Sequence, residues 1–234
     1  DCEEVCPPAP RVAARGMLES AFDPAEGNME TTLNGLGVLP LNQPYSGAPW
    51  NYTGNESVAS MPSYVVDWVL LEFRDPNDLP QIIDRKAVLL DENGWLRNTD
   101  DFGYAQSELD PFSAEAVVVI HHRNSLSIMT ADDLDKSLRF FMVNFADDPN
   151  AVLTNPGINN PAMEEVAPNI YAMFQGNAKA GMVINSVDIQ QMILGYFNQG
   201  YLMNDANLTG VTNATDISLA VQRYFFFSHI EAAN

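Results

Sequence analysis

Residues 205–216 have the residue types and spacing of a twelve-residue loop that wraps a hard cation. Oxygen-bearing side chains stand at loop positions 1, 3, 5, 9 and 12, and Gly210 at position 6 permits a sharp turn. The predicted ligands are Asp205, Asn207, Thr209, the backbone carbonyl of Val211, and Asp216 as a bidentate carboxylate. Asn213 is expected to act through a water. The pattern predicts a calcium site, and the alternative is a polar loop that caps the next helix at Thr215 or Asp216.

A degenerate copy of this loop lies upstream at residues 177–188. The two segments are identical at several positions, among them 2, 9 and 12, and similar at position 1. Lys179 at position 3 and Gly181 at position 5 remove two oxygen ligands from the first copy. We therefore expect one calcium ion, bound by the second loop. In the first loop we expect the Lys179 ammonium to occupy the place of the ion.

Each loop leads into a segment whose apolar residues recur at helical spacing, which predicts two helices that bury one face against each other. These residues are Ile189, Met192, Ile193 and Tyr196 after the first loop, and Ile217, Ala220, Val221 and Tyr224 after the second.

Upstream of the two loops the chain consists of short apolar runs separated by turn residues. The predicted strands cover residues 11–20, 65–73, 86–90, 95–97, 116–122, 126–129 and 138–145. Turns are predicted at residues 75–78 and at the hairpin 91–94. Residues 65–73 and 117–120 are largely apolar on both faces, as central strands are. The fold class is therefore mainly β with a small α module, an antiparallel β-sandwich followed by two loop-helix units.

The chain is predicted to have four parts. Residues 1–10 form an extended arm, residues 11–148 the β-sandwich, residues 149–168 a linker, and residues 169–234 the calcium module. The arm contains both cysteines, Cys2 and Cys6, and a disulfide within or between subunits is the favoured interpretation. The first residue is Asp1 rather than Met, which is typical of a processed mature chain.

Composition excludes several classes of partner. The 234 residues carry a formal net charge of −20, with 31 acidic and 11 basic side chains. Nucleic acid and anionic membranes are therefore poor partners, and no apolar run is long enough to insert into a membrane.

A long loop, residues 42–62, contains Tyr45, Trp50 and Tyr52 among Pro, Gly, Ser and Asn residues. Such aromatics either stack on sugars or a protein partner, or fold back to seal the sandwich edge, and the second alternative is favoured. His121 and His122 are adjacent in a predicted strand, so they face opposite ways and cannot easily share a metal ion. With no nucleophile elbow, phosphate loop or zinc-protease helix, the sequence predicts that the protein is not an enzyme.

Several segments resemble the C-terminal module of large secreted proteins of Bacteroidota, a β-rich region followed by a dockerin-like pair of loops. The matching segments are residues 31–34, 39–41, 43–45, 50–54, 65–69, 122–124, 167–170 and the two loops. The resemblance implies an extracellular or cell-surface location and implies no enzymatic activity. Family members usually carry acidic ligands in both calcium loops, from which Lys179 and Gly181 depart.

These observations favour a non-enzymatic structural protein, a calcium-stabilised subunit of a bacterial surface fibre or layer that associates with its own copies. The alternative is an adhesion module that binds a carbohydrate or another surface protein. For self-association, residues 11–20 are either donated to a neighbour's sheet or form the first strand of their own sandwich, and the second is favoured.

Overall fold

The computed structural model describes residues 11–106, 115–134 and 140–230, and within them the chain is mainly β with few helices. The predicted arm with Cys2 and Cys6, and the start of the last predicted strand, lie outside these residues. Strands β1 to β12 are Arg11–Arg15, Phe22–Asp23, Asn28–Met29, Val65–Asp75, Asp78–Asp91, Leu96–Arg97, Ala105–Gln106, Val117–His121, Ile128–Met129, Phe140–Asn144, Glu164–Ala167 and Ile170–Ala172. Helices α1 to α3 are Thr32–Gly35, Ser186–Leu194 and Ala214–Gln222, and Pro149–Ala151 forms a 3-10 turn.

The larger sheet has five antiparallel strands in the order β6-β5-β4-β8-β9. Its central strand β4 is buried from Val65 to Phe73, which confirms the expectation from its apolar composition. The predicted turn at residues 75–78 joins β4 to β5, and the predicted hairpin joins β5 to β6. Gly94 in this hairpin has a φ of 85°, and a Cβ there would lie 2.7 Å from the Gly16 carbonyl oxygen, so only glycine fits.

The smaller sheet has the order β10-β1-β7 and differs from the predicted antiparallel arrangement. Strand β1 pairs with β7 in the antiparallel sense but with β10 in the parallel sense, with Arg11 opposite Phe140. The prediction was wrong at this pair, because a parallel neighbour far along the chain leaves no local signal in the sequence. Strand β1 completes the sheet of its own chain, which is the alternative that the sequence favoured over donation to a neighbour.

Both sheets contribute to one hydrophobic core, as in a β-sandwich. Val12 and Phe141 reach it from the smaller sheet, and Trp68 and Phe73 reach it from the larger one. Leu208, from the second of the two loops, is buried in the same core. No helix in the described ranges combines the length and apolar character needed to cross a bilayer.

The aromatic loop at residues 42–62 folds back onto the large sheet. Tyr45 is fully buried, and its hydroxyl donates to the Trp68 carbonyl at 2.7 Å. The Arg85 guanidinium donates to the Trp50 carbonyl at 2.9 Å and lies over the Tyr52 ring. Tyr45 and Tyr52 are therefore buried in the fold, and the half-buried Trp50 ring packs edge-on against Tyr45 with centroids 4.9 Å apart, so the loop does not present the three rings as an open stacking platform.

Candidate functional site

The two loops and the helices that follow them repeat the same local geometry with an offset of 28 residues. Asn185 and Asn213 are the N-caps of α2 and α3, and each side-chain oxygen accepts from the backbone N–H two residues later, at 2.8 and 2.7 Å. Asp188 and Asp216 complete the two capping boxes by accepting from the N-cap N–H at 2.8 and 2.7 Å. The second Oδ of each aspartate accepts from the backbone N–H of loop position 3, at 2.9 and 3.0 Å. The N-cap of α3 is thus Asn213, not Thr215 or Asp216. The Asn213 side chain, which was predicted to bind calcium through a water, accepts the capping hydrogen bond instead.

The structure brings the five predicted ligand residues of the second loop together. The side-chain oxygen of Asn207 lies 3.0 Å from Asp205 Oδ1, 3.0 Å from Asp216 Oδ1 and 2.9 Å from Thr209 Oγ1. Thr209 Oγ1 in turn lies 3.3 Å from the Val211 carbonyl oxygen. Five oxygens from positions 1, 3, 5, 7 and 12 therefore form one cluster.

The spacing of this cluster fits a calcium ion. Oxygens that share one calcium at 2.3–2.6 Å lie roughly 2.8–3.5 Å from their neighbours. The Asn207 oxygen faces three other oxygens, and either a cation or a turned-over amide whose two N–H groups point at the Asp205 and Asp216 carboxylates would satisfy this arrangement. The backbone of the loop is already in place, since Thr209 N–H donates to Asp205 Oδ1 at 3.0 Å and Gly210 N–H donates to Oδ2 at 2.8 Å.

The charge of the loop is suited to weak binding. Burial raises the pKa of Asp205, against the effects of the Gly210 N–H and the Arg123 charge, so a nearby cation would favour its ionised form. The set holds two carboxylates and three neutral oxygens. Accordingly, no group of three or more His, Cys, Asp or Glu side chains in the described ranges is arranged to hold a metal ion.

The first loop closes without an oxygen cluster. Asn177 Oδ1 accepts from Gly181 N–H at 2.9 Å, and Asn177 Nδ2 donates to the Gly181 and Ser125 carbonyls at 2.7 and 3.1 Å. Lys179, which the sequence placed at the position of the ion, has an exposed side chain. The amide of Asn177, rather than the ammonium of Lys179, thus spans the interior of this loop.

Replacing Lys179 with alanine is expected to change the free energy of unfolding by less than about 0.5 kcal/mol, as for an exposed side chain away from structural features. Urea denaturation in calcium-free buffer measures this. A loss above about 1 kcal/mol would instead support the expectation from sequence that the ammonium stabilises the loop.

The two units interlock through equivalent backbone contacts. Phe197 N–H donates to the Thr212 carbonyl at 2.8 Å, and Phe225 N–H donates to the Ile184 carbonyl at 2.8 Å. Met192 and Ala220 are buried where the helices meet, as predicted. The prediction that each helix buries its whole apolar face against the other was wrong, because four of the predicted contact residues remain exposed. The predicted contact residues that the structure leaves exposed are Ile193, Tyr196, Val221 and Tyr224.

A buried charged network connects the second unit to the large sheet. Asp67 on β4 accepts from His122 Nε2 and Arg123 Nε, both at 3.1 Å, and from the Tyr201 hydroxyl at 2.7 Å. Arg123 also donates to the Leu202 carbonyl and stacks over the Tyr201 ring with 4.4 Å to its centroid. Asp67 and Arg123 lie in segments that match the Bacteroidota module, but they are 56 residues apart, and no pattern in the sequence predicts that they meet.

The network continues to the second loop through the residue after Arg123. Asn124 Nδ2 donates to the backbone carbonyl of Asp205 at 2.7 Å. The first ligand position of the candidate calcium site is therefore attached to the turn that holds the buried charges.

No protein-family model and no curated protein matches the sequence. Among solved structures, the chain is similar to chains from two interface mutants of a type II cohesin–X-dockerin complex of Acetivibrio cellulolyticus, mutated at the C-terminal and the N-terminal interface. Identities are 11% and 10%, the likeness covers 94% and 93% of this chain and 97% of each of the others, and both TM-scores are 0.43. A likeness this distant assigns the chain to no family, and the resemblance to the Bacteroidota module stays a prediction.

Two acid-histidine-serine chains lie among the described residues, and the serine of the first lacks the access that nucleophilic catalysis needs. In the first, His122 connects Asp67 to Ser125, and all three side chains are buried, so a substrate cannot reach Ser125 Oγ. In the second, His121 Nδ1 lies 2.6 Å from Ser127 Oγ and its Nε2 lies 3.5 Å from Glu72. The two histidines contact different acids, His121 at the last residue of β8 and His122 immediately after it.

The buried acids predict a dependence of stability on acid pH. Burial raises the pKa of Asp67, but Arg123, His122 and Tyr201 outweigh it and hold the pKa at about 2. His121 and Arg74 likewise outweigh burial at Glu72 and hold its pKa at about 2. Both folded-state values lie below the unfolded ones, so this stability is present near neutral pH and is lost as pH falls from about 5 towards 2.

Urea midpoints measured across this pH range are expected to fall steadily, and the fall should be smaller in the Asp67→Asn variant. A parent protein whose midpoint is constant down to about pH 2.5 would contradict the assignment of these two acids.

Proposed function

We propose that this chain is a non-catalytic, calcium-stabilised structural subunit of an extracellular or cell-surface fibre or layer, in which the two loop-helix units act as a dockerin-like pair. The observation that carries the proposal is the cluster of five oxygens in the second loop, contributed by Asp205, Asn207, Thr209, Val211 and Asp216. A calcium ion there would neutralise two buried carboxylates and join both ends of the loop.

The small ligand charge supports the extracellular location. Calcium affinity rises with the number of charged ligands, and sites in extracellular modules bind with dissociation constants of about 10⁻⁴ to 10⁻³ M. A loop with two carboxylates is suited to an environment where calcium is millimolar, because a weaker calcium supply would leave it largely empty.

The absence of catalysis is part of the proposal and is supported by the burial of Ser125 and of its partners His122 and Asp67. An adhesion module could bind through the aromatic loop at residues 42–62 or through the loop-helix units. The aromatic loop is not suited to this, because Tyr45 and Tyr52 are buried against the sheet edge. The loop-helix units remain available to it.

Electron microscopy of the purified full chain, with millimolar calcium and with chelator, tests the proposal. Fibres, sheets or closed particles in calcium support a structural subunit. Dispersed monomers in both conditions, together with binding on a glycan array, would replace it with the adhesion module.

A further inference from the structure

Exposed apolar side chains are concentrated on the two loop-helix units. Nine of the fifteen exposed large hydrophobic residues in the described ranges lie between residues 187 and 227. We define the duplicated apolar face as the following residues of the two units: Ile193, Leu194, Tyr196 and Phe197, with Val221, Tyr224 and Phe225. Phe197 is 73% exposed and Phe225 is 61% exposed, and a water-facing aromatic at the same place in both repeats is an unusual use of apolar surface.

The backbone under these two phenylalanines is strained. Phe197 has a φ of 68° and Phe225 a φ of 64°, in the left-handed region where helices normally end on glycine or asparagine. A bulky side chain in this conformation costs energy, and such outliers persist where function requires them. Each ring contacts the preceding tyrosine, with centroids 4.4 Å apart, and otherwise points largely into solvent. The fold therefore gains little from either phenylalanine in return for the strain.

The charge around these residues favours a second copy of this chain as the partner. The chain has a net charge of −20, yet residues 189–204 contain no charged side chain and residues 217–230 contain no acidic one. Arg223, the basic residue there, is paired with Glu19 at 2.7 Å and Glu164 at 3.1 Å. A cationic partner would be drawn to the acidic surfaces rather than to this face. A second copy of the chain is repelled by those surfaces and can approach closely where the carboxylates are missing.

We propose that the duplicated apolar face is a homodimer interface, in which two copies of this chain meet face to face about a two-fold axis. The same residues serve both copies in such a contact, so an apolar neutral face is complementary to itself. The proposal rests on the proposed function in that a subunit of an assembly needs a contact with its own kind, and the face supplies one.

Sedimentation equilibrium of the full chain over a range of concentrations, in millimolar calcium, tests the interface. The parent chain is expected to form a dimer. The variants Phe197→Gly and Phe225→Gly should each raise the dimer dissociation constant by about 30-fold or more, as for an interface hot spot. Met142→Ala is the matched control, because Met142 is 67% exposed on β10 and should leave the dissociation constant unchanged.

Melting temperatures separate an interface from a structural role. Glycine relieves the left-handed strain, so both glycine variants should melt at or above the parent's temperature when measured as monomers at low concentration. A clear fall would show that the rings stabilise the fold and would overturn the proposal. A parent that stays monomeric at every concentration would also overturn it and would leave the face to a different protein.

The same samples separate this proposal from the proposed function. Calcium should raise the melting temperature of parent and variants alike. A calcium response without a dimer sinks the interface alone, whereas the loss of both the calcium response and of assembly by electron microscopy sinks the proposed function.

Discussion

Replacing Asp67 with asparagine is expected to lower the free energy of unfolding by about 3 to 5 kcal/mol. The variant keeps the shape of the side chain but leaves the Arg123 guanidinium buried without the carboxylate that its Nε contacts at 3.1 Å. An uncompensated buried charge is among the most costly defects in a protein interior. The Tyr201 hydroxyl loses its charged acceptor in the same step.

Urea denaturation followed by tryptophan fluorescence measures this loss, since Trp68 is buried next to Asp67 in β4. Asp132→Asn removes an exposed carboxylate by the same chemistry and should change stability by less than about 0.5 kcal/mol. The double variant Asp67→Asn with Arg123→Met should recover part of the loss, because it removes both charges. A single variant that loses under about 1 kcal/mol would show that the pair does not hold the fold together.

The position of this network assigns it a specific role. Asp67 belongs to the central strand, Arg123 to the turn after β8, and Tyr201 and Leu202 to the segment between the two loop-helix units. The network therefore joins those units to the large sheet. Hydrogen exchange in the Asp67→Asn variant should rise first in α2 and α3, before it rises in β4.

Most of the large sheet could be predicted from local sequence patterns. The apolar run from Val65 to Phe73, the turn at residues 75–78 and the hairpin at Gly94 were all readable, because each depends on neighbours in sequence. The parallel pairing of β1 with β10 was not readable, since its partners are separated by more than a hundred residues. The short hairpins β2–β3 and β11–β12 were missed because two to four residues give no usable period.

The candidate site shows the same division. The ligand spacing of residues 205–216 predicts which residues converge, and the structure brings these residues together around the Asn207 amide, while the calcium ion itself stays a prediction. The spacing of residues in the sequence could not show that the Asn177 amide closes the first loop. This closure depends on the orientation of the amide, whose Nδ2 donates to the Gly181 carbonyl. Helical periodicity likewise marks Ile193 and Val221 as apolar-face residues but does not say whether anything covers them.

Calcium is expected to raise the melting temperature of the chain by roughly 5 to 11 °C at a hundredfold excess over its dissociation constant. Binding to the folded state alone is worth about 2.7 kcal/mol at that excess. A chain of this size gains about 2–4 °C for each kcal/mol. Chelator should remove the whole effect, and magnesium at equal ionic strength should not restore it, because magnesium requires a tighter octahedral site.

Asp205→Asn should abolish the response without unfolding the loop. The first loop already carries Asn177 at this position, where its Oδ1 accepts from Gly181 N–H at 2.9 Å, as Asp205 Oδ1 accepts from Thr209 N–H at 3.0 Å. The substitution therefore keeps the bond from Thr209 N–H and takes away one of two charged ligands, but it loses the bond from Gly210 N–H to Oδ2. The variant should be less stable than the parent in chelator, because of that lost bond, and should gain no further stability from calcium.

Asp188→Asn is the matched control, because Asp188 holds the capping box of α2 as Asp216 holds that of α3, but in the loop without an oxygen cluster. This variant should lose cap stability, about 1 kcal/mol, in calcium and chelator equally and keep the full calcium response. Because Asn124 ties Asp205 to the buried network, the calcium shift should appear in one transition shared by the sheet and the helices. Identical melting curves of the parent with calcium and with chelator would rule the site out. Loss of the calcium response in Asp188→Asn would show that the ion binds the first loop, residues 177–188, instead.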